Sequence, residues 1–187
     1  MATIRKTLVY CSITAVLGLL TTVYPNKLKT SKDGLAHIAS FEQCVSCTYQ
    51  DHVGVSTIGI GSTRSFDSKP PKPGERLTNE QVAILFGRDI EQAEQCVMTK
   101  MNGEYMPQSV FDASVSLVYN VGCAGTTYNS KAKRPTNIAL QAKARNWPQV
   151  CYYMGDFIYA GGKVSNGLKN RRTGDQALCL KDIGNVE

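Results

Sequence analysis

Charge is absent from one long stretch of the chain, residues 8–24, Leu8 to Tyr24. A run of this length sits at the short limit for a bilayer span, and Ser12, Thr14, Gly18, Thr21 and Thr22 dilute its apolarity. Arg5 and Lys6 precede it, which predicts a cytoplasmic N-terminus and an exported remainder. A cleavable signal peptide is the rival reading, but Thr22-Val23-Tyr24-Pro25 is a poor small-x-small cleavage site. Residues 25–32 read as a Lys-rich linker. From Gly34 to Phe41, helical spacing of Leu35, Ile38, Ala39 and Glu42 predicts a short helix with Asp33 as its cap. Alternation, β-branched residues and glycines then predict a hairpin to about Thr63. Residues 65–76 carry Pro70, Pro71, Pro73 and Gly74, which makes a loop.

The clearest helix follows. Thr78 and Gln81 form a capping-box pattern, and Val82, Leu85, Phe86, Ile90, Ala93 and Val97 share one face to about Met101, with Gly103 as the stop. At about 1.5 Å per residue it is about 35 Å long, enough to bridge two lobes. Further helices are predicted after Pro107, over Asn137–Arg145, Trp147–Met154 and Leu168–Leu180, with a turn at Gly161-Gly162. Few early strands and many late helices make an α+β chain with a small hairpin lobe and a larger helical lobe.

Composition narrows the picture. The 187 residues are 42% hydrophobic and 19% charged, a globular balance. The net charge of +6 favours anionic partners, but the basic residues are scattered and not interleaved with aromatics, so a nucleic-acid partner is not expected. Seven cysteines with only two histidines, His37 and His52, and no pair of CxxC units argue against zinc. They point to an oxidising compartment such as the periplasm, and an odd count leaves one thiol over. Cys44-Val45-Ser46-Cys47 suggests a thioredoxin-like oxidoreductase, but that motif should open a helix after a strand.

The candidate chemistry overlays those cysteines. Glu42 and Asp51 flank the predicted chain reversal, and Thr57 follows six positions after Asp51. Read singly, such acids are usually solvated surface charges. Together, across a cleft, two carboxylates are what glycoside hydrolysis requires.

These residues resemble the phage-type lysozymes, the T-even phage endolysin family. That family shows a Glu, then Tyr-x-Asp, then Gly-x-x-Thr-Ile-Gly-x-Gly. Here they stand as Glu42, Tyr49-Gln50-Asp51 and Gly54-Val55-Ser56-Thr57-Ile58-Gly59-Ile60-Gly61, and the likeness continues in Tyr119-Asn120-Val121-Gly122, Tyr159-Ala160-Gly161-Gly162 and Gly167-Leu168-x-x-Arg171-Arg172. It covers roughly residues 33–187. Gln43 and Cys44 stand where many members have Gly, and Ser62 where many have His.

The resemblance implies a lysozyme-like fold whose hairpin and helical lobes are joined by the long helix. The expected division is a signal-anchor-release transmembrane segment at 1–24, a linker at 25–32 and a catalytic domain at 33–187. It implies a muramidase that cuts the β-1,4 link between N-acetylmuramic acid and N-acetylglucosamine in peptidoglycan to lyse the host. Glu42 is then the general acid, Asp51 handles the attacking water and the positive charge on the sugar, and Thr57 positions that water. Inversion, which the family implies, wants the carboxylates about 6.5–9.5 Å apart. Arg171 is the expected cleft-side arginine, pairing with Glu42, with a solvated helix position as its alternative. No metal or organic cofactor is implied. The expected partners are peptidoglycan and, through residues 8–24, the host inner membrane, with a monomer released to the periplasm. Rival classes are a holin-like membrane protein, which leaves the polar remainder unexplained, and a non-catalytic cell-wall-binding module, which has no use for the Glu–Asp–Thr spacing.

The family likeness extends to the cysteines. By analogy with the helical lobe, Cys96 is expected to meet Cys179, and Cys123 to meet Cys151. Some signal-anchor-release endolysins are controlled by disulfide exchange. The expectation here is that Cys11, once hydrated, attacks a Cys44–Cys47 bond and forms a new one with Cys44 or Cys47, Cys44 being favoured.

Overall fold

The computed structural model describes residues 8–25, 27–51 and 54–183. Arg5, Lys6 and His52 lie outside the described residues. The chain divides into two compact units: Met1–Lys27 with Ala39–Asp89, and Leu28–Ile38 with Ile90–Glu187.

In the first unit, α1 (Ile13–Val23) is capped by Ser12, whose Oγ accepts the Ala15 N–H at 3.3 Å. Its Val16 and Leu20 are buried. The antiparallel hairpin β1 (Cys44–Gln50) and β2 (Ser56–Ile60) pairs Cys44 with Ile60 and Tyr49 with Thr57, with an irregularity between Val45 and Tyr49. Residues 9–11 extend this hairpin. The Val9 carbonyl accepts the Ser46 N–H at 2.8 Å, and the Cys11 N–H donates to the Cys44 carbonyl at 3.0 Å.

In this arrangement residues 8–24 do not form one helix. The leading residues are drawn into the sheet, so α1 keeps 11 residues. Its length is about 17 Å against a bilayer core of about 30 Å. Among the described residues no helix is long and apolar enough to cross a membrane.

Helix α2 (Lys32–Ser40) begins in the second unit and ends in the first. Its cap is Ser31 rather than the expected Asp33: Ser31 Oγ accepts the Gly34 N–H at 3.1 Å. Ser31 is held there by Asp112, which accepts its N–H at 3.0 Å and also its hydroxyl. Asp33 is exposed and pairs with Lys181 instead. Gly34 permits the approach, since a Cβ there would lie 2.6 Å from Asp112 Cγ. The stretch expected as a linker is fastened before α2 starts: Glu94 Oε1 accepts both the N–H and the hydroxyl of buried Thr30, at 2.6 and 2.7 Å.

Helix α3 (Asn79–Lys100) opens with the expected capping box: the Thr78 N–H donates to Gln81 Oε1 and the Gln81 N–H to Thr78 Oγ1. Gly87 on α3 faces α1, and a Cβ there would lie 2.6 Å from the Tyr24 ring. The left-handed residue beyond α3 is Asn102, φ 57°, and not the expected Gly103.

The second unit is built on α4 (Gln108–Val121), buried continuously from Ser109 to Val118. Around it follow α5 (Cys123–Thr127), the small hairpin β3 (Tyr128–Asn129) and β4 (Arg134–Pro135), α6 (Asn137–Lys143) and α7 (Trp147–Tyr153). The hairpin β5 (Tyr159–Ala160) and β6 (Lys163–Val164) then leads into α8 (Asn166–Cys179), which packs on α4 and α7. That packing corrects the expected disulfides. Cys179 on α8 meets Cys151 on α7, and Cys96 on α3 meets Cys123 at the start of α5. The expected Cys96–Cys179 and Cys123–Cys151 pairs do not form, because α7, not α3, lies alongside the end of α8.

A polar hub sits inside this unit. Asp175 on α8, fully buried, accepts the Ser116 hydroxyl at 2.7 Å and the His37 Nε2–H at 2.8 Å on Oδ1. Its Oδ2 pairs with Arg172 at 2.9 Å, and Arg172 also donates to Asn120 at 3.1 Å. Burial lowers the Arg172 guanidinium to about 10, against the opposing pull of Asp175.

Candidate active site

Glu42 stands two residues beyond the end of α2, half-buried, its N–H donating to the Ala39 carbonyl at 3.2 Å. The strand β1 starts at Cys44, so a helix end and a strand start hold the acid between them. Asp51 follows the other end of β1. Its Oδ1 accepts the Val55 N–H at 2.8 Å, its own N–H donates to the Val55 carbonyl at 3.0 Å, and its carbonyl accepts the Gly54 N–H at 3.0 Å. An aspartate that bonds the backbone of its own turn is fixed by local geometry. Gly54 supplies the left-handed conformation the turn needs, φ 83°. Thr57 lies opposite Tyr49 across the hairpin, is 4% exposed, and donates to the Val55 carbonyl at 3.1 Å. A hydroxyl that donates one bond keeps its acceptor lone pairs.

Tyr49 reports on the two acids. Burial pushes its phenol above the ordinary value, and the negative charges of Glu42 and Asp51 push it the same way. Both carboxylates therefore act on one phenol, although nine positions of chain separate them. Strand periodicity puts Tyr49 and Asp51, two apart, on one face. The structure thus gathers Glu42, Tyr49, Asp51 and Thr57 in the first unit. The sequence reading gave Tyr49 no role, although the Tyr-x-Asp spacing was the signal that carried it.

A second polar group fastens the far end of β2. Ser62 exchanges backbone hydrogen bonds with Ile58, and its hydroxyl donates to Asp89 Oδ2 on α3 at 2.6 Å. Arg88 donates to Asp89 Oδ1 at 2.9 Å and to the carbonyls of Arg64 and Ser65. Burial raises the Asp89 carboxyl, and the hydrogen bonds from Ser62 and Arg88 oppose that rise. Sequence reasoning noted Ser62 as a departure and missed Asp89, because the contact joins distant positions.

Cys11 is bonded to Cys44, and Cys47 is a free thiol, partly exposed, on β1. Arg171 lies on α8 in the second unit, 5% exposed. Among the described residues no group of three His, Cys, Asp or Glu could hold a metal ion. An open cavity of about 370 Å³ in the second unit is lined by Tyr128, Lys131, Arg134 and Asp156 among others, and none of the expected site residues borders it.

The family model for phage lysozyme matches residues 39–175. The chain is 39% identical over 156 residues to a SAR-endolysin of Haemophilus phage HP1, covering 81% of each chain. The solved structure of the active form of the P1 phage endolysin Lyz aligns with a TM-score of 0.84 and 28% identity, over 95% of this chain and 98% of that one. The secreted inactive form of the same endolysin aligns less completely, with a TM-score of 0.52 and 31% identity, over 62% of this chain and 77% of that one.

Proposed function

The chain belongs to the phage lysozyme family, and from that premise we propose that it hydrolyses the β-1,4 bond between N-acetylmuramic acid and N-acetylglucosamine of peptidoglycan, lysing the host cell. The carrying observation is that Glu42 and Asp51 flank the two ends of β1, with buried Thr57 opposite Tyr49 across the hairpin. In this reading Glu42 protonates the leaving oxygen, Asp51 orients water and offsets the positive charge of the oxocarbenium-like transition state, and Thr57 positions that water through its free lone pairs. Arg171 supports the cleft, and the anomeric centre inverts. Purified protein carrying Glu42→Gln should lose peptidoglycan turbidity-clearing activity by about 100- to 10,000-fold while keeping its melting temperature. Retained wild-type rates would refute the assignment.

The same reading covers activation. The chain is tethered in the host inner membrane by residues 8–24, inactive, and is then released to the periplasm as an active monomer. On release the Cys11 thiolate attacks Cys44 Sγ of a Cys44–Cys47 disulfide. The Cys11–Cys44 bond forms, the Cys44–Cys47 bond breaks, and Cys47 leaves as a thiolate that takes up a proton, with no net oxidation. The bonding seen here, with Cys11 joined to Cys44 and Cys47 free, supports this as the product state. The fuller alignment to the active form of the P1 endolysin supports it too.

The geometry also supplies a reason why the earlier bond would inhibit. Cys44 and Cys47 are three positions apart in β1, about 10 Å between Cα atoms in a strand. A disulfide needs less than about 7 Å. A Cys44–Cys47 bond and an intact β1 exclude each other, so the precursor lacks the strand that carries Tyr49 toward Asp51.

A further inference from the structure

The open cavity of the second unit has two walls. The β3–β4 hairpin supplies Tyr128, Lys131 and Arg134 to one, and Asp156 comes to the other from the short turn of helix after α7. The hairpin is fixed along its length. Tyr128 pairs with Pro135, Asn129 Oδ1 accepts the Ala132 N–H at 2.9 Å, and Lys133 takes the left-handed turn conformation at φ 51°. Its base is clamped by Thr136, whose hydroxyl donates to the Thr126 carbonyl at 2.5 Å and whose N–H donates to the Thr127 carbonyl at 3.2 Å. Arg134 Nη1 donates to Asn137 Oδ1 at 3.2 Å, which orients the guanidinium and uses one of its several donors. The turn that carries Asp156 is closed by the Phe157 N–H, which donates to the Met154 carbonyl at 3.2 Å. Among the described residues Lys131, Arg134 and Asp156 make no ion pair, although they line one cavity. Two cations and an anion thus converge on one space without neutralising one another.

We propose that this cavity binds the acidic stem peptide of the wall, with carboxylates on Lys131 and Arg134 and a free ammonium on Asp156. The inference rests on the reading of peptidoglycan as the substrate. Charges of both signs held apart are complementary to a ligand that carries both, and a guanidinium takes a carboxylate through paired N–H donors. The surplus cation asks for one more carboxylate than ammonium. A stem peptide that ends in diaminopimelate has that balance at its end: two carboxylates and one ammonium. The alkyl chain between them can lie on the exposed Tyr128 ring. Other ligand classes fit less well. A phosphate or sulfate would face the Asp156 carboxylate, and a neutral sugar would use none of the three charges. The volume, about 370 Å³, suits a peptide end and not a glycan strand.

The test is an NMR titration of the purified, released-form protein with three synthetic peptides. The first is N-acetyl-L-alanyl-γ-D-glutamyl-meso-diaminopimelate. The second has the diaminopimelate ammonium acetylated, and the third has its two carboxylates amidated. Wild-type protein should bind the first about tenfold more tightly than either of the others. Asp156→Asn should weaken the first peptide by a similar factor and bind the first and second alike. Lys131→Ala with Arg134→Ala should do the same for the first and third. Each loss is thereby assigned to one charge pair, because protein and ligand are changed separately and together. Absence of binding by the first peptide at millimolar concentration, or equal binding of all three by wild-type protein, overturns the proposal. So does discrimination that survives in the variants. Should a variant fail to fold, the three wild-type titrations decide alone. Glu42→Gln assayed in parallel for wall clearing keeps the two readings apart. Full activity there removes the acid assignment and leaves the peptide result standing, whereas a hydrolytic wild type that does not discriminate the peptides overturns this inference alone.

Discussion

Each of the two units has its own kind of internal bond. The second carries two disulfides between its own elements, a continuously buried α4 and a hub in which one carboxylate joins α2, α4 and α8. The first has a short hairpin, an N-terminal segment laid against it by a few backbone hydrogen bonds, and a disulfide whose neighbour Cys47 is a free thiol. A disulfide beside a free thiol can be exchanged, whereas one remote from any thiol cannot. The contrast is one of exchangeability: the one free thiol among the described residues stands three positions from a half-cystine of the first unit, and none stands in the second. The residues proposed for catalysis, Glu42, Asp51 and Thr57, all belong to the first unit.

The largest effect expected from breaking this contrast is on activity. Cys11→Ser should give exported, released protein whose wall-clearing activity is near background and returns on adding a reductant, while the second unit stays resistant to protease. Replacing both Cys44 and Cys47 by Ser in that background should restore activity without reductant. Normal lysis by Cys11→Ser alone would erase the difference between the units.

Next comes the hub. Asp175→Ala leaves Arg172 buried without its carboxylate and should cost about 3–5 kcal/mol in chemical denaturation. A smaller loss is expected from Cys96→Ser with Cys123→Ser, about 3 kcal/mol or about 10 °C in melting midpoint by calorimetry, with activity at low temperature retained.

The smallest effect sharpens the comparison from the first unit's side. Asp89 has a folded-state pKa raised by burial. The folded state therefore holds that proton more tightly than the unfolded one, a stabilising contribution present at low pH and lost as pH rises through the folded-state value. Asp89→Asn should flatten the stability curve just above the ordinary carboxylate range in urea titrations taken at a series of pH values. An unchanged pH slope would show that the Arg88 and Ser62 bonds already offset the burial.

What could be read from the sequence was whatever local chemistry determines. The α3 start was legible because Thr78 and Gln81 satisfy each other's backbone within four residues. Glu42, Asp51 and Thr57 were named because their spacing is a motif. The α2 cap was misread because Asp112, far along the chain, holds Ser31 and leaves Asp33 to solvent. The hairpins β3–β4 and β5–β6 have strands of two residues, too short for alternation to show. Disulfide partners depend on which helices lie side by side, and nothing in cysteine spacing states that α8 packs on α7. The helix within residues 8–24 is shorter than the uncharged run because hydropathy registers lack of charge and is blind to the pairing of residues 9–11 with a distant strand.

The seat of α1 has a consequence for how this sequence can change over generations. Val16 and Leu20 fill the interior of the first unit, and Tyr24 and Leu20 lie against Gly87. On the activation route proposed above, the same three side chains must also suit lipid, so each is selected by two environments with different demands. Positions such as Ala15 and Thr22, exposed once α1 is seated, answer to lipid alone. Variation among descendants of this gene should therefore gather on that outward stripe. Gly87 should be frozen together with Tyr24, as a pair that can only drift if the ring shrinks before the glycine grows.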